Sequence, residues 1–154
     1  MIGGFIVALV LSGITAFPLE TELNLLVALR GGEGIWTAPE GSLDWWLLEV
    51  RNGLGVTYRD YPWVAYGTDW LAFGHLVIAM FFIGPWRDPV ANAWVLKIGL
   101  VACAGVIVLA MIAGPVREIP LYWRLIDCSF GVFGAIPLWL TLRWIRQLAE
   151  MQAV

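Results

Sequence analysis

Charge is what this chain has least of. Asp, Glu, Lys and Arg supply 14% of its 154 residues, where a soluble domain carries about 25%. With 60% of the residues hydrophobic, a water-soluble fold would have nowhere to place so much apolar surface. The nine Lys and Arg are scattered among twelve Asp and Glu, for a net charge of −3. No basic patch argues for nucleic acid or for a polybasic lipid-binding tail, so nucleic acid is set aside as a partner. Cysteine is as scarce: Cys103 and Cys128 are the only two, both within apolar runs, which argues against a secretory disulfide framework. There is one histidine, His75, so haem held between two histidines of one chain is excluded, while one axial histidine or a dimeric site stays open. No G-x-S-x-G, H-E-x-x-H or glycine-rich phosphate loop occurs, and Ser129 beside Cys128 has no catalytic setting. The chain carries no enzyme signature.

What is present is long apolar runs and tryptophan. Mean hydropathy is +0.80, and the chain has ten tryptophans. About 17–25 apolar residues cross a hydrocarbon core roughly 30 Å thick. Spans are expected at about residues 2–17, 68–84, 93–114 and 120–143, the first only just long enough. The expected fold is all-α: a single transmembrane domain over 1–154, a four-helix bundle with two amphipathic interfacial helices in a long first extramembrane segment, residues 18–66. The first run, IGGFIVALVLSGITAF, also has the short apolar stretch of a signal peptide, but it lacks a basic n-region, so it reads as an uncleaved anchor.

Within 18–66, LETELNLLVALRGG places Leu19, Leu23 and Leu26 on one helical face and stops at Gly31-Gly32. A second helix is expected to begin at Thr37-Ala38-Pro39-Glu40, which has capping-box spacing, and to end at Asn52-Gly53, with Leu43, Trp46, Leu47, Val50 and Leu54 along one side. Both would lie on the membrane with the apolar stripe down and Trp45-Trp46 among the headgroups; a lid over the bundle is the alternative.

Gly84-Pro85 and Gly114-Pro115 read as helix stops, in the similar strings GPWRD and GPVRE, which are convergent punctuation rather than a duplication. The Arg-Asp and Arg-Glu pairs at 59–60, 87–88 and 117–118 read as interfacial turns, with Asp88 an N-cap before Pro89. Arg87, Lys97, Arg143 and Arg146 outweigh Arg117 and Arg124, which places both termini in the cytoplasm under the positive-inside rule. Tyr66, Trp70, Tyr122 and Trp123 would then form one aromatic belt, and Trp86, Trp94, Trp139 and Trp144 the other. Residues 66–146, with YGTDWLAFGHLVIAMFFIGPWRDP and WRLIDCSFG, resemble a group of small polytopic bacterial membrane proteins to which no function is attached. That resemblance implies a bacterial inner membrane and carries no activity across.

The run YWRLIDCSFGVFG, residues 122–134, sets Arg124, Asp127 and Cys128 inside the fourth span. Counted at about 1.5 Å per residue, His75 lies about 12 Å below the outer end of the second span, Asp127 about 10 Å down the fourth, and Cys103 about one turn deeper on the third. An aspartate near a span's centre costs about 2.5–3.5 kcal/mol, so it should face protein and find a partner. Arg124, three residues earlier, or His75 across the bundle are the partners on offer. Gly131 and Gly134 continue the Asp127 face and would let another backbone approach, so this face is expected to be the interior seam of the fourth helix.

The intramembrane polar cluster His75, Cys103, Arg124, Asp127 and Cys128 can be a packing device or a site. No metal is expected: no two ligands have metal-site spacing, and adjacent Asp127 and Cys128 point about 100° apart on a helix. His75 and Asp127, beside Phe73, Phe81, Phe82, Phe130 and Phe133, are the cofactor-binding candidates, compatible with a quinone, haem or proton-handling role. The first expectation is a non-enzymatic accessory or structural subunit, in contact with membrane lipids and assembled as a homo-oligomer or within a larger membrane complex. A redox bundle and a small-solute transporter acting as an oligomer are the alternatives.

Overall fold

The computed structural model describes residues 1–152. Every regular element among them is helical: α1 Ile2–Ala16, α2 Leu19–Leu29, a 3₁₀ helix Gly32–Thr37, α3 Leu43–Asp60, α4 Trp63–Phe81, α5 Ile83–Arg87, α6 Ala93–Val116 and α7 Leu121–Gln152. Three helical stretches are long and apolar enough to cross a membrane: Trp63–Arg87 with 25 residues, Ala93–Val116 with 24 and Leu121–Gln147 with 27. The expected first span does not stand alone. At 15 residues α1 is short of a crossing, and it reaches span length only together with α2, across a bend of 92°. Pro18 causes the break, because it has no N–H to donate and disfavours helical geometry at Phe17 before it.

The chain divides into two compact units, Leu9–Val77 and Met1–Ala8 with the chain from Ile78 onward. In the first, α2 and α3 pack on each other, burying Leu23 and Val27 on one and Leu47 and Leu48 on the other. The two apolar stripes are thus turned partly toward one another, while Leu26 and Leu43 stay exposed. Arg30 Nε donates to Asp44 Oδ1 at 2.7 Å, and Arg51 Nε to Asn24 Oδ1 at 2.8 Å, so polar pairs flank the apolar contact. The hydrogen bond and charge of Asp44 raise the Arg30 guanidinium above its usual range.

Several boundaries differ from the sequence expectation, each for a local reason. Helix α3 starts at Leu43 rather than at Thr37–Glu40, because Gly41 turns the chain with φ +80° and Ser42 Oγ accepts from Trp45 N–H at 3.2 Å. It passes through Asn52-Gly53, where Thr57 Oγ1 donates to the Gly53 carbonyl at 2.7 Å, and ends only before Pro62. Helix α4 begins at Trp63, five residues before the expected span. Gly84-Pro85 does not stop a helix: both lie in the first turn of α5, where proline's missing N–H costs nothing. Asp88 Oδ1 caps the Pro89–Asn92 turn through Val90 and Ala91 N–H, ahead of α6. Helix α7 continues past Arg143 to Gln152.

In the second unit α6 and α7 form an antiparallel hairpin. Gly114 faces Arg124 near the turn, Gly131 faces Cys103 and Ile107, and Gly99 faces Leu138 farther along, so partners descend one helix as they climb the other. Leu96 and Leu138 are fully buried along the seam, and Phe5 meets Phe82 edge-on at 4.8 Å. Gly114-Pro115 is again inside the helix, whose end is a Schellman motif: Ile119 N–H reaches the Gly114 carbonyl at 3.0 Å and Glu118 N–H the Pro115 carbonyl at 3.2 Å. The left-handed residue of that motif is Glu118 at φ 58°, where glycine is usual. An L side chain there costs roughly 1 kcal/mol, and a carboxylate opposes the negative end of the helix dipole. Glu118→Gly is therefore expected to stabilise the protein by about 0.5–1 kcal/mol, read as a rise in the denaturation midpoint in mixed micelles.

Candidate functional site

The α6/α7 seam is built on glycine. A Cβ on Gly131 would stand 2.5 Å from the Cys103 carbonyl oxygen and 3.3 Å from Ile107 Cγ1; one on Gly134 would stand 3.2 Å from Cys103 Sγ. Only a residue without a side chain lets the two backbones come this close. Asp127, Gly131 and Gly134 recur at helical spacing, so the acid extends the same stripe toward the turn. Asp127 is half-buried and has neither a hydrogen bond nor an ion pair among the described residues. Arg124, three residues earlier, does not pair with it. Its aliphatic stem lies against Gly114, and its Nε is buried without a hydrogen-bond partner among the described residues.

Both cysteines are half-buried free thiols. Cys103 sits in the seam through its carbonyl and Sγ, whereas Cys128, the next residue after Asp127, is turned off that stripe. Ser129 Oγ donates to the Ile126 carbonyl at 2.6 Å, an ordinary intrahelical bond. Among the described residues no three His, Cys, Asp or Glu side chains come together as metal ligands would.

His75 belongs to the other unit, on α4. Its Nδ1 lies 2.9 Å from the Leu71 carbonyl, which can only accept, so Nδ1 donates there, and in the tautomer with a single N–H the other nitrogen, Nε2, is an acceptor with no partner among the described residues. That tautomer suits a ligand that accepts an Nε2 lone pair. It lacks the second N–H that a quinone carbonyl would need from the neutral ring.

One residue that sequence reasoning passed over stands out on the same helix. Asp69 is half-buried, has no hydrogen-bond or ion-pair partner among the described residues, and lines an open groove of about 310 Å³ with Phe17, Tyr66, Trp70 and Phe73. Tyr66 and Trp70 meet edge to face at 6.0 Å, as do Trp70 and Phe73 at 6.0 Å. The available signal was the helical spacing of 66, 69, 70 and 73; read as a membrane belt, the rings concealed the acid among them.

No protein-family model, curated protein or solved structure matches the chain.

Proposed function

We propose that the protein is a non-enzymatic accessory or structural subunit of a bacterial inner membrane, with four membrane segments and both termini cytoplasmic, which packs against a partner or a second copy of itself. α1 would supply the fourth segment, with α2 and α3 packed together at the membrane surface. The observation that carries the reading is the division of its glycines. Gly13, Gly99, Gly114, Gly131 and Gly134 are filled by neighbouring atoms, whereas a Cβ on Gly4, Gly67, Gly74 or Gly105 would meet nothing within 4 Å. Glycine on an outward helical face costs about 0.5–1 kcal/mol relative to alanine and becomes useful when another helix closes on it. Gly67 and Gly74 share a face of α4 with exposed Leu71 and Ile78, and Gly105 lies among exposed Val101 and Val108 on α6. These are the faces a partner helix would cover.

A second reading rests on His75, whose free Nε2 suits an axial ligand to haem in an oligomer. One experiment addresses both: a native mass spectrum of the protein taken from its own membrane in mild detergent. The expected result is a homo-oligomer or a complex with further subunits, reduced to single chains by Gly74→Leu together with Gly105→Leu. Extra mass matching haem, lost on His75→Ala, would favour the second reading. A bare single chain would overturn the first.

A further inference from the structure

We infer that the Asp69 groove holds a methylated ammonium group, and that its occupant is the choline headgroup of a membrane phospholipid. The groove is made within one unit of the fold: Tyr66, Asp69, Trp70 and Phe73 project from one face of α4, and Phe17 closes it from the turn between α1 and α2. Four aromatic rings and one carboxylate form the lining. Ring faces attract cations through their quadrupoles, and Trp is the strongest of the three ring types. Asp69 adds a carboxylate with no cation paired to it among the described residues. A charge left half-buried without a partner is costly, and a ligand cation is the complement the groove lacks.

The form of the cation follows from the same lining. A primary ammonium brings three N–H donors and strong hydration, so it needs several acceptors. Here the carboxylate and the Tyr66 hydroxyl are the only side-chain acceptors, and everything else is ring. A trimethylammonium group has no N–H to satisfy, is weakly hydrated, and places its methyl groups on ring faces.

Depth points to a lipid as the source. The stretch Trp63–Arg87 has 25 residues, about 37 Å at 1.5 Å per residue against a hydrocarbon core of about 30 Å. Each end thus stands about 3–4 Å clear of the core, and Asp69, about 9 Å from the start of α4, lies within roughly 5 Å of the polar boundary. Tyr66 and Trp70 are at the level where such rings anchor helices among headgroups.

The test places the full chain in nanodiscs of phosphatidylglycerol doped with equal small amounts of phosphatidylcholine and phosphatidylethanolamine, and counts by native mass spectrometry the lipids that stay on the protein. Phosphatidylcholine is expected to be enriched over both others. Asp69→Asn and Trp70→Leu should each cut the enrichment about tenfold, whereas Asp69→Glu keeps most of it. Both changed side chains are at least partly exposed, and an unaltered denaturation midpoint in phosphatidylglycerol alone establishes that the fold survives. Equal retention of all three lipids, or enrichment that survives both changes, overturns the proposal. Retention of phosphatidylethanolamine as strong as phosphatidylcholine overturns the preference for a methylated group. A separate arm titrates tetramethylammonium chloride into phosphatidylglycerol nanodiscs; binding there without phosphatidylcholine enrichment overturns the lipid as the occupant.

Discussion

Gly131→Ala is expected to lower stability by about 1–3 kcal/mol, while Gly105→Ala, the same substitution at the middle of the neighbouring helix, is expected to raise it by about 0.5–1 kcal/mol. The opposite signs come from what each new methyl group meets. At Gly131 it would stand 2.5 Å from the Cys103 carbonyl oxygen, a backbone atom that can yield only if α6 and α7 move apart. Separation would also loosen Gly134 against Cys103 Sγ and Leu138 against Gly99, so the loss extends along the seam. At Gly105 the methyl meets open space, and the gain is the backbone entropy that alanine no longer has to surrender. Denaturant titration in mixed micelles, followed by circular dichroism, reads both midpoints. If Gly131→Ala matched Gly105→Ala in sign, the close approach of the two helices would be wrong. The gain at Gly105 belongs to the single chain; in an oligomer the same methyl group is expected to weaken assembly, because the proposed function makes the outward glycines contact surface.

The seam was legible in sequence because its signal is local. Asp127, Gly131 and Gly134 recur at helical spacing inside one apolar run, so an inward face with a close neighbour could be read from a single segment. Apolar length likewise announced three spans, since hydropathy over about 20 residues needs no partner to be measured. What could not be read depended on contacts between segments or on one residue's backbone. Nothing local to Val27 or Leu48 shows that α2 and α3 bury them together, because that requires the 3₁₀ turn at Gly32–Thr37 to fold the two helices onto each other. The αL conformation of Glu118 was hidden because the helix runs through Pro115 and ends on a residue that rarely adopts it. Arg124 illustrates the limit of spacing: three residues from Asp127 it could have paired, yet its stem lies on Gly114 instead. Glycine there leaves room for the stem, and a neighbour across the hairpin wins over one on the same helix.

Truncating the buried leucines in the two units is expected to give unequal losses for the same chemistry. Leu48 lies against Val27 in the α2/α3 pair, outside the three span-length helices, so unfolding exposes it to water or headgroups. Leu48→Ala should forfeit both the transfer free energy and the packing, for a total of about 2–5 kcal/mol. Leu138 is fully buried on α7, within a stretch long and apolar enough to cross a bilayer. There the unfolded reference is lipid, which is as apolar as leucine, so the transfer part falls away and only lost contacts and the residual cavity remain. Leu138→Ala should cost about 1–2 kcal/mol by that reasoning, despite being the more completely buried of the two. Unfolding both variants in bilayer-mimicking bicelles compares them directly, with tryptophan fluorescence as the probe. The larger loss at Leu48 would place the α2/α3 pair in a watery setting at the membrane surface. Equal losses would mean that Val27 and Leu48 are taken out of lipid rather than water, and that the α2/α3 pair sits within the hydrocarbon.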